Sequence, residues 1–280
     1  MSNATRTLLP GATLGVLGAG QLGRMFAMAA SRMGYHVHVF APDAKDAPAA
    51  AHAERTFTAS WTDEASLAAF AGTCDAVTLE FENVPIAALD VVARYAPVRP
   101  GRRALTVAQD RLEEKRFLAS IGVPLGDWRP VHDEAQAADA FAQLGRPAIL
   151  KTARLGYDGK GQRRVASEVE AQTAWRDLGS VPCVLEAHLD LAAEVAVVVA
   201  RTIDGRLVRH PVVRTEHVHG ILDVASVPAD LPADVLDAAG QAACTVAEEL
   251  DLVGVTCLEC FVTSDGTLLA NEVAPRPHNS

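Results

Sequence analysis

A loop rich in glycine, residues 156–162 with the sequence GYDGKGQ, is the segment best suited to chemistry. Three glycines let its backbone approach a polyphosphate closely and let the loop open and close. Lys160 lies inside the loop, and Lys151 ends the apolar run that leads into it, so both can neutralise phosphate charge without demanding a fixed geometry. The alternative is a flexible surface hairpin.

Lysine is rare in this chain, which makes the lysines at the loop more informative. Only four of the 25 basic residues are lysines, namely Lys45, Lys115, Lys151 and Lys160. Two of the four lie in or beside the glycine-rich loop, which favours a phosphate-binding function. The P-loop pattern, a different phosphate-binding motif, is absent from the sequence.

Two carboxylates, Glu259 and Glu272, each lie within an apolar run, and the Asp265-Gly266 turn joins the runs into a predicted hairpin. A lone buried carboxylate is costly, so two on paired strands favour a cation between them. Magnesium fits best, because it takes oxygen ligands and commonly combines one or two carboxylates with substrate phosphates. Asn271 adds a neutral oxygen. The alternative is an arginine partner for each acid.

A second glycine-rich segment, residues 18–23 with the sequence GAGQLG, follows a predicted strand and opens a predicted helix. Free backbone N–H groups at such a turn can bind an anion, and Gln21 and Arg24 favour a phosphate-bearing ligand. Asp43 stands after the next strand, about where a ribose-binding acid lies in dinucleotide-binding folds. The turn alone is a weak signal, since its glycines could serve only the close packing of helix on strand.

Two further pairs of acids are candidates for binding ligand hydroxyls or amines. Glu80 and Glu82 lie at the carboxyl end of a predicted strand, where open α/β sheets have their ligand crevice, although they could also form a solvated edge. Glu186 and Glu194 bracket a short polar loop and could accept hydrogen bonds from an adenine amine or from ribose hydroxyls. The second pair is ambiguous by itself.

The elements that must position these residues fall into two patterns. In the first hundred residues, short apolar runs alternate with helical segments, which predicts an α/β domain with a parallel sheet covered by helices on both faces. A break at residues 96–101 predicts a boundary between domains 1–100 and 101–280. The predicted strands are 14–17, 37–40 and 76–81, and the predicted helices are 22–33, 64–70 and 86–95.

The second domain is predicted to be an α+β module that is mostly antiparallel. Asp204-Gly205 and Asp265-Gly266 are turns of the hairpin type, each flanked by apolar runs. No internal repeat of ~20 to 50 residues is present, which excludes a solenoid. The predicted strands are 148–152, 181–186, 195–201, 206–214, 254–262 and 267–273, and the predicted helices are 111–121, 134–144, 168–178 and 233–250.

Length and composition restrict the class of protein. The 280 residues include 25 basic and 35 acidic residues, and the formal net charge of −10 disfavours nucleic acid as a partner. No apolar run approaches the ~20 residues of a membrane helix, so we expect a soluble, cytoplasmic protein with no membrane partner. The strand predicted at Cys257 and Cys260 puts these two cysteines on opposite faces, which argues against a zinc or redox site.

Taken together, these motifs resemble the ATP-grasp superfamily and, within it, the N5-carboxyaminoimidazole ribonucleotide synthetase family of purine biosynthesis. The resemblance implies a parallel-sheet pre-ATP-grasp domain followed by an ATP-grasp module. The loop at 156–162 and the final stretch are its most specific parts. The matching segments are GAGQLGRM at 18–25, LEFENV at 79–84, DRLEEKRFL at 110–118, LKTARLGYDGKGQ at 150–162, LEAHLDLAAEVAVVVAR at 185–201, LEC at 258–260 and NEVAPRPHNS at 271–280.

The resemblance also implies roles for individual residues, with ATP and Mg²⁺ as the cofactors. Glu259 and Glu272 would hold the metal, and catalysis would involve Lys151, Arg276 and Asp158, the last placed to orient the reacting amine or accept its proton. The residues implied to contact the nucleotide are Arg111, Lys151, Gly156, Tyr157, Asp158, Gly159, Lys160, Gly161, Gln162, Glu186, Ala187, His188, Leu189, Glu194, His217, Asn271 and Glu272. Those implied to face the ribonucleotide are Gly20, Gln21, Leu22, Glu80, Tyr157, Asp158, Arg276, His278 and Asn279. His217 falls where the family has a polar residue near the phosphates, whereas Thr215 replaces the asparagine expected two places earlier.

The implied activity is that of a ligase, the ATP- and bicarbonate-dependent carboxylation of 5-aminoimidazole ribonucleotide through carboxyphosphate. The resemblance stops at residue 280, within a motif that in the family continues into a C-terminal domain. We therefore expect a chain that binds nucleotide but turns over poorly, and a homodimer when full length. The alternatives are another ATP-grasp ligase, similar to the formate-dependent glycinamide ribonucleotide transformylase, a nicotinamide-dependent dehydrogenase, or an inactive nucleotide-binding module.

Overall fold

The computed structural model describes residues 7–156, 161–218 and 220–280. The first four strands form one parallel sheet in the order β3-β2-β1-β4, which confirms the predicted α/β architecture. The strands are β1 (Thr13–Leu17), β2 (His36–Ala41), β3 (Arg55–Thr58) and β4 (Ala76–Leu79), and the helices between and after them are α1 (Gln21–Arg32), α2 (Glu64–Ala71) and α3 (Ile86–Val92).

Helices cover both faces of this sheet, as predicted. Val39 packs with Ala27 of α1 on one face, whereas its neighbour Phe40 packs with Phe70 of α2 on the other, as the period of two in a strand requires. β3 was not predicted, because its sequence RTFT is polar and leaves no apolar pattern. The strand predicted at 76–81 ends at Leu79, and the helix predicted at 86–95 ends at Val92.

Two short helices, α4 (Arg102–Ala108) and α5 (Arg111–Ser120), follow the parallel sheet. α5 begins where predicted because the Asp110 side chain accepts the Leu112 N–H and caps the first turn. α4 was not predicted. The boundary between residues 100 and 101 stays a prediction.

An antiparallel sheet follows, in the order β5-β8-β6-β7, with helices α6 (Glu134–Leu144) and α7 (Glu168–Asp177) on one face. Its core joins Ala137 of α6 to Leu150 and Leu185 of the sheet. Because side chains alternate along a strand, Ile149 and Lys151 point to the opposite face. The strands are β5 (Trp128–Val131), β6 (Ala148–Thr152), β7 (Gln162–Val165) and β8 (Cys183–Ala187).

A second antiparallel sheet completes the α+β part, in the order β12-β11-β9-β13-β14 with β10 paired to β9. Helix α8 (Ala233–Glu249) packs Val246 against Val197 and Leu258 of this sheet. The single strand predicted at 206–214 is wrong, because Pro211, which has no N–H to donate, separates two strands there. The strands are β9 (Leu191–Arg201), β10 (Leu207–Arg209), β11 (Val213–Val218), β12 (Ile221–Ser226), β13 (Gly254–Thr263) and β14 (Leu268–Ala274).

The two cysteines of β13 lie on opposite faces, as predicted. Cys257 packs with Ala196 and Ala274, whereas Cys260 belongs to the core under α8, where burial raises the pKa of its thiol. Within the described ranges, no helix is both long and apolar enough to cross a membrane.

Candidate active site

A cleft of about 410 Å³ opens between the two antiparallel sheets. Side chains of β6, β8, β13 and β14 line it, together with the first turns of α5. Its lining combines lysines and arginines with carboxylates, the mixture that a polyphosphate and its metal ion require. The cleft is therefore the candidate active site.

Two lysines converge on one largely buried carboxylate in this cleft, that of Glu186. Lys151 Nζ lies 2.7 Å from Glu186 Oε2, and Lys115 Nζ of α5 lies 2.8 Å from Glu186 Oε1. Burial by itself would raise the pKa of Glu186, but the two ammonium groups outweigh it and lower that pKa to about 2. The ionised group of three carries a net positive charge, which suits a phosphate.

Arg111, the first residue of α5, pairs with Glu272 through Nη1 and Oε2 at 3.0 Å. Burial would lower the pKa of Arg111, but Glu272 and other acids raise it overall, and Arg111 lowers the pKa of Glu272 against the effect of burial. One turn later, Glu114 accepts the Val273 N–H at 2.6 Å, while burial and Glu272 raise the pKa of Glu114 to about 8. These contacts fix α5 against β14.

Glu259 and Glu272 are register partners across β13 and β14, so their side chains lie on one face. His278 Nε2 lies 2.7 Å from Glu259 Oε1. Burial would lower the pKa of His278, but its contacts with Cys257 and Glu259 raise it to about 10. The sequence left open an arginine partner for each acid. Glu272 has such a partner in Arg111, whereas Glu259 pairs with His278.

The pairing of β13 with β14 shifts by one residue at this point, so Asn271 falls between the paired positions Ala270 and Glu272. Asn271 and Glu272 both line the cleft, as do their neighbours in β14. With Glu259 they offer carboxylate and amide oxygens, the ligands that Mg²⁺ prefers, so the acidic pair fits magnesium. The described residues hold no cluster of three or more His, Cys, Asp or Glu suited to a metal, so phosphate oxygens would complete the site.

Glu194 of β9 and His217 of β11 lie together in the cleft lining. His217 Nδ1 is 2.7 Å from Glu194 Oε2, although the angle is not that of a hydrogen bond. Thr215, where the resemblance predicts asparagine, is the buried register partner of Glu194 and is outside the lining. Of the two positions, only His217 is placed to meet a ligand.

Arg276, just after β14, joins the end of the chain to the parallel sheet. Its Nε donates to Glu82 Oε2 at 2.7 Å, and Glu82 raises the pKa of Arg276 against the effect of burial. Gln109 holds the Glu82 segment, because its Nε2 donates to the carbonyl oxygens of Glu82 at 2.7 Å and Val84 at 2.5 Å. These bonds hold the predicted catalytic arginine at the cleft.

Glu80 binds the glycine turn at the start of α1. Its Oε1 accepts the Gly20 N–H at 2.7 Å and its Oε2 accepts the Gly23 N–H at 3.0 Å, and the residue is 8% exposed. At Gly18, where φ is +105°, an added Cβ would meet Glu80 Cγ at 2.3 Å. Glu80 therefore binds the N–H groups of Gly20 and Gly23, so an anion at this turn could meet only the remaining N–H groups.

Most of the predicted site residues line the cleft, and the others fall into three groups. Gly161 is outside the lining and accepts the Thr152 N–H at 2.8 Å. Gly20, Gln21, Leu22 and Glu80 lie at the start of α1, also outside the lining. Tyr157, Asp158, Gly159 and Lys160 lie outside the described residues. The residues that line the cleft are Arg111, Lys151, Gly156, Gln162, Glu186, Ala187, His188, Leu189, Glu194, His217, Glu259, Asn271, Glu272, Arg276, His278 and Asn279.

Among the polar residues of the cleft that received no role from the sequence are Gln109, Glu114 and Lys115. Glu114 and Lys115 follow Arg111 by three and four residues, a spacing that puts all three on one face of a helix and could have revealed them. Gln109 left no signal, because its acceptors are backbone carbonyls 27 and 25 residues earlier in the chain.

Comparison with protein families accounts for both parts of the chain. Residues 11–109 match the ribonucleotide synthetase preATP-grasp domain, and residues 116–280 match the ATP-grasp domain. The N5-carboxyaminoimidazole ribonucleotide synthase of Brucella melitensis biotype 1 is 45% identical over 276 residues, which cover 98% of this chain and 76% of the relative. The Bacillus subtilis synthase of the same name is 37% identical over 273 residues, covering 98% and 72%.

Solved structures of such enzymes have the same fold. An ADP complex of an N5-carboxyaminoimidazole ribonucleotide synthetase has a TM-score of 0.93 at 39% identity, over 99% of this chain and 73% of that one. The Aspergillus clavatus synthase in complex with ADP and 5-aminoimidazole ribonucleotide has a TM-score of 0.85 at 29% identity, over 96% and 71%. With its two domains, its cleft and its relatives in agreement, the chain belongs to the N5-carboxyaminoimidazole ribonucleotide synthase family.

Proposed function

We propose that this chain carboxylates 5-aminoimidazole ribonucleotide in purine biosynthesis, using ATP and bicarbonate and releasing ADP and phosphate. The observation that carries the proposal is a cleft in which Lys151 and Arg111 lie with the acidic pair Glu259 and Glu272, in a chain of this family. The two relatives described above carry the name of this synthase, which disfavours the formate-dependent alternative.

The nucleotide is assigned to the cleft with its phosphates toward Lys151 and Arg111. Both cations already have carboxylate partners, so each is preoriented, and an arriving phosphate competes for it. Glu194 is assigned to the base or ribose, where a carboxylate can accept hydrogen bonds from an amine or from hydroxyls, whereas both oxygens of Glu186 already bind lysines. Magnesium held by Glu259 and Glu272 would neutralise charge on the phosphate oxygens.

The reaction begins when a bicarbonate oxygen bonds to the γ-phosphorus of ATP and the bond to ADP breaks. The resulting carboxyphosphate releases phosphate and CO₂, and the amine nitrogen of the ribonucleotide bonds to that carbon and loses a proton. Lys151 and Arg111 accelerate the transfer by positioning the phosphoryl group and balancing its charge. We assign the exclusion of water, which protects the labile carboxyphosphate, to the loop at 156–162 on its sequence.

The ribonucleotide is assigned to the end of the cleft near β14. Arg276, His278 and Asn279 line it there, and Glu82 holds Arg276 in place. Gln21 and Leu22 lie at the start of α1 between the two glycines bound by Glu80, and their N–H groups suit the ribonucleotide phosphate. Asp158 takes the role of orienting the amine or accepting its proton, an assignment that depends on the resemblance alone.

A ligand series tests the proposal. Mg-ATP or Mg-ADP at ~100 times its dissociation constant adds roughly 2.7 kcal/mol of stability and should raise the melting temperature, whereas NAD should not. Release of ADP in the presence of bicarbonate should be stimulated by 5-aminoimidazole ribonucleotide and not by glycinamide ribonucleotide with formate. A thermal shift with NAD and none with Mg-ADP would contradict the assignment.

We also propose, from the resemblance alone, that the protein acts as a homodimer in the cytoplasm. Sedimentation equilibrium of the purified protein tests the dimer. Cell fractionation tests the location, and recovery in a membrane fraction would contradict it.

A further inference from the structure

Lys115 takes no part in the function proposed above, although its placement is unusual. It is one of only four lysines in the chain and is 3% exposed on the inner face of α5. A buried ammonium group is costly unless it is paired. Its ion pair with Glu186 supplies that partner, and Glu186 already has a second cation in Lys151.

The two ion pairs use different oxygens of one carboxylate. Lys115 Nζ lies 2.8 Å from Oε1 of Glu186, and Lys151 Nζ lies 2.7 Å from Oε2. The lysines also come from different elements, since Lys115 belongs to α5 whereas Lys151 and Glu186 belong to neighbouring strands. Removal of Lys151 from Glu186 therefore leaves the bond between Lys115 and Glu186 in place.

This arrangement matters when a phosphate arrives. Lys151 has three N–H donors, and as it turns them toward the phosphate its bond to Glu186 weakens. Without a second cation, that movement would leave a largely buried carboxylate poorly compensated, and the cost would oppose phosphate binding. With Lys115 in place, Glu186 keeps a partner throughout.

We propose that Lys115 is a positioning residue that neutralises Glu186 and thereby frees Lys151 to bind the nucleotide phosphates. The inference rests on the proposed function, because it assumes that a nucleotide occupies the cleft. Lys115 acts through Glu186 and Lys151, so its contribution depends on the phosphates of the ligand and not on its base.

The test is calorimetric binding of Mg-ADP and of adenosine to the full chain and to Lys115→Met. Methionine has a similar length and no charge. In the variant without ligand, Glu186 still has its ion pair with Lys151, so we expect the variant to fold. Affinity for Mg-ADP should fall at least about tenfold, because Lys151 must then leave Glu186 unpaired. Affinity for adenosine should stay within about twofold. The exposed Lys45 provides a matched control, and Lys45→Met should bind both ligands as the wild type does.

A second measurement separates action through Glu186 from direct contact with phosphate. In a Glu186→Gln background no carboxylate needs neutralising, so adding Lys115→Met should change Mg-ADP affinity less than twofold. A further loss of about tenfold in that background would show that Lys115 contacts the phosphates itself and would overturn the inference. Equal losses for adenosine and Mg-ADP in the single variant would also overturn it. If the wild type binds no Mg-ADP, the proposed function fails instead.

Discussion

The carboxylate of Glu80 should stabilise the start of α1, and its replacement tests that role directly. The Glu80 side chain accepts two backbone N–H groups, from Gly20 at 2.7 Å and from Gly23 at 3.0 Å. Hydrogen bonds to a charged group contribute about 1.5 to 3 kcal/mol each, and a negative charge at a helix N-terminus adds about 0.3 to 1 kcal/mol.

Water can reach the partly exposed turn and replace some of what is lost. We therefore expect Glu80→Ala to destabilise the start of α1 by about 3 kcal/mol and Glu80→Gln, which keeps one acceptor oxygen, by about 1.5 kcal/mol. Glu64, in the first turn of α2, is the matched control because it is exposed and pairs only with Arg94 at 3.8 Å. Glu64→Gln should change stability by less than about 0.5 kcal/mol.

Hydrogen exchange of the amides in residues 18–32 measures this effect locally, because the free energy of opening is read from each protected amide. Both Glu80 variants should lower protection in α1 and leave α8 unchanged. Protection in α1 that matches the Glu64→Gln control, together with a large loss of ribonucleotide binding, would refute the reasoning. That result would mean that Glu80 serves the ligand directly, as the resemblance implies.

Three further predictions concern the cleft. Glu272→Gln should weaken the magnesium dependence of ADP affinity while the melting temperature stays within a few degrees, and an unchanged dependence in calorimetry would remove the metal assignment. Because Glu186 has a pKa of about 2 in the folded protein and about 4.5 when unfolded, its charge stabilises the fold above pH 4.5 and this contribution is lost as the pH falls toward 2. Urea unfolding should thus find the wild type more stable than Glu186→Gln by about 3 kcal/mol at pH 7, with the difference vanishing near pH 2. Glu82→Gln should raise the KM for the ribonucleotide by about 3- to 10-fold and leave the KM for ATP unchanged, because it weakens the hold on Arg276 alone; equal changes in both constants would contradict this.

Helices that begin at a capping side chain and end at a glycine could be predicted from the sequence. α6 matches its prediction because Asp133 caps its start and Gly145, with φ of +63°, ends it. By contrast, β3 and β12 are edge strands with exposed side chains, so their pairing depends on a neighbouring strand and not on their own pattern.

The site was predictable in its residue types but not in its pairings. The carboxylates Glu259 and Glu272 could be identified as a pair because one hairpin joins them. Arg276 and Glu82 are 194 residues apart, and no local pattern connects them. The same holds for Glu80, whose type indicated a ligand contact but whose carboxylate binds the backbone of the glycine turn.

Asn271, the extra residue in β14, should respond differently to selection for folding and to selection for activity. Ala270 pairs with Cys260, and Glu272 pairs with Glu259, so removal of Asn271 would join these two positions into an uninterrupted ladder. The sheet would then be more regular, and both acids would keep their pairing. A search for stabilised variants that rewards folding alone should accept this deletion, whereas one that rewards nucleotide binding should reject it if Asn271 contacts the nucleotide as proposed. Whether Asn271 is kept or deleted would therefore distinguish selection for function from selection for stability.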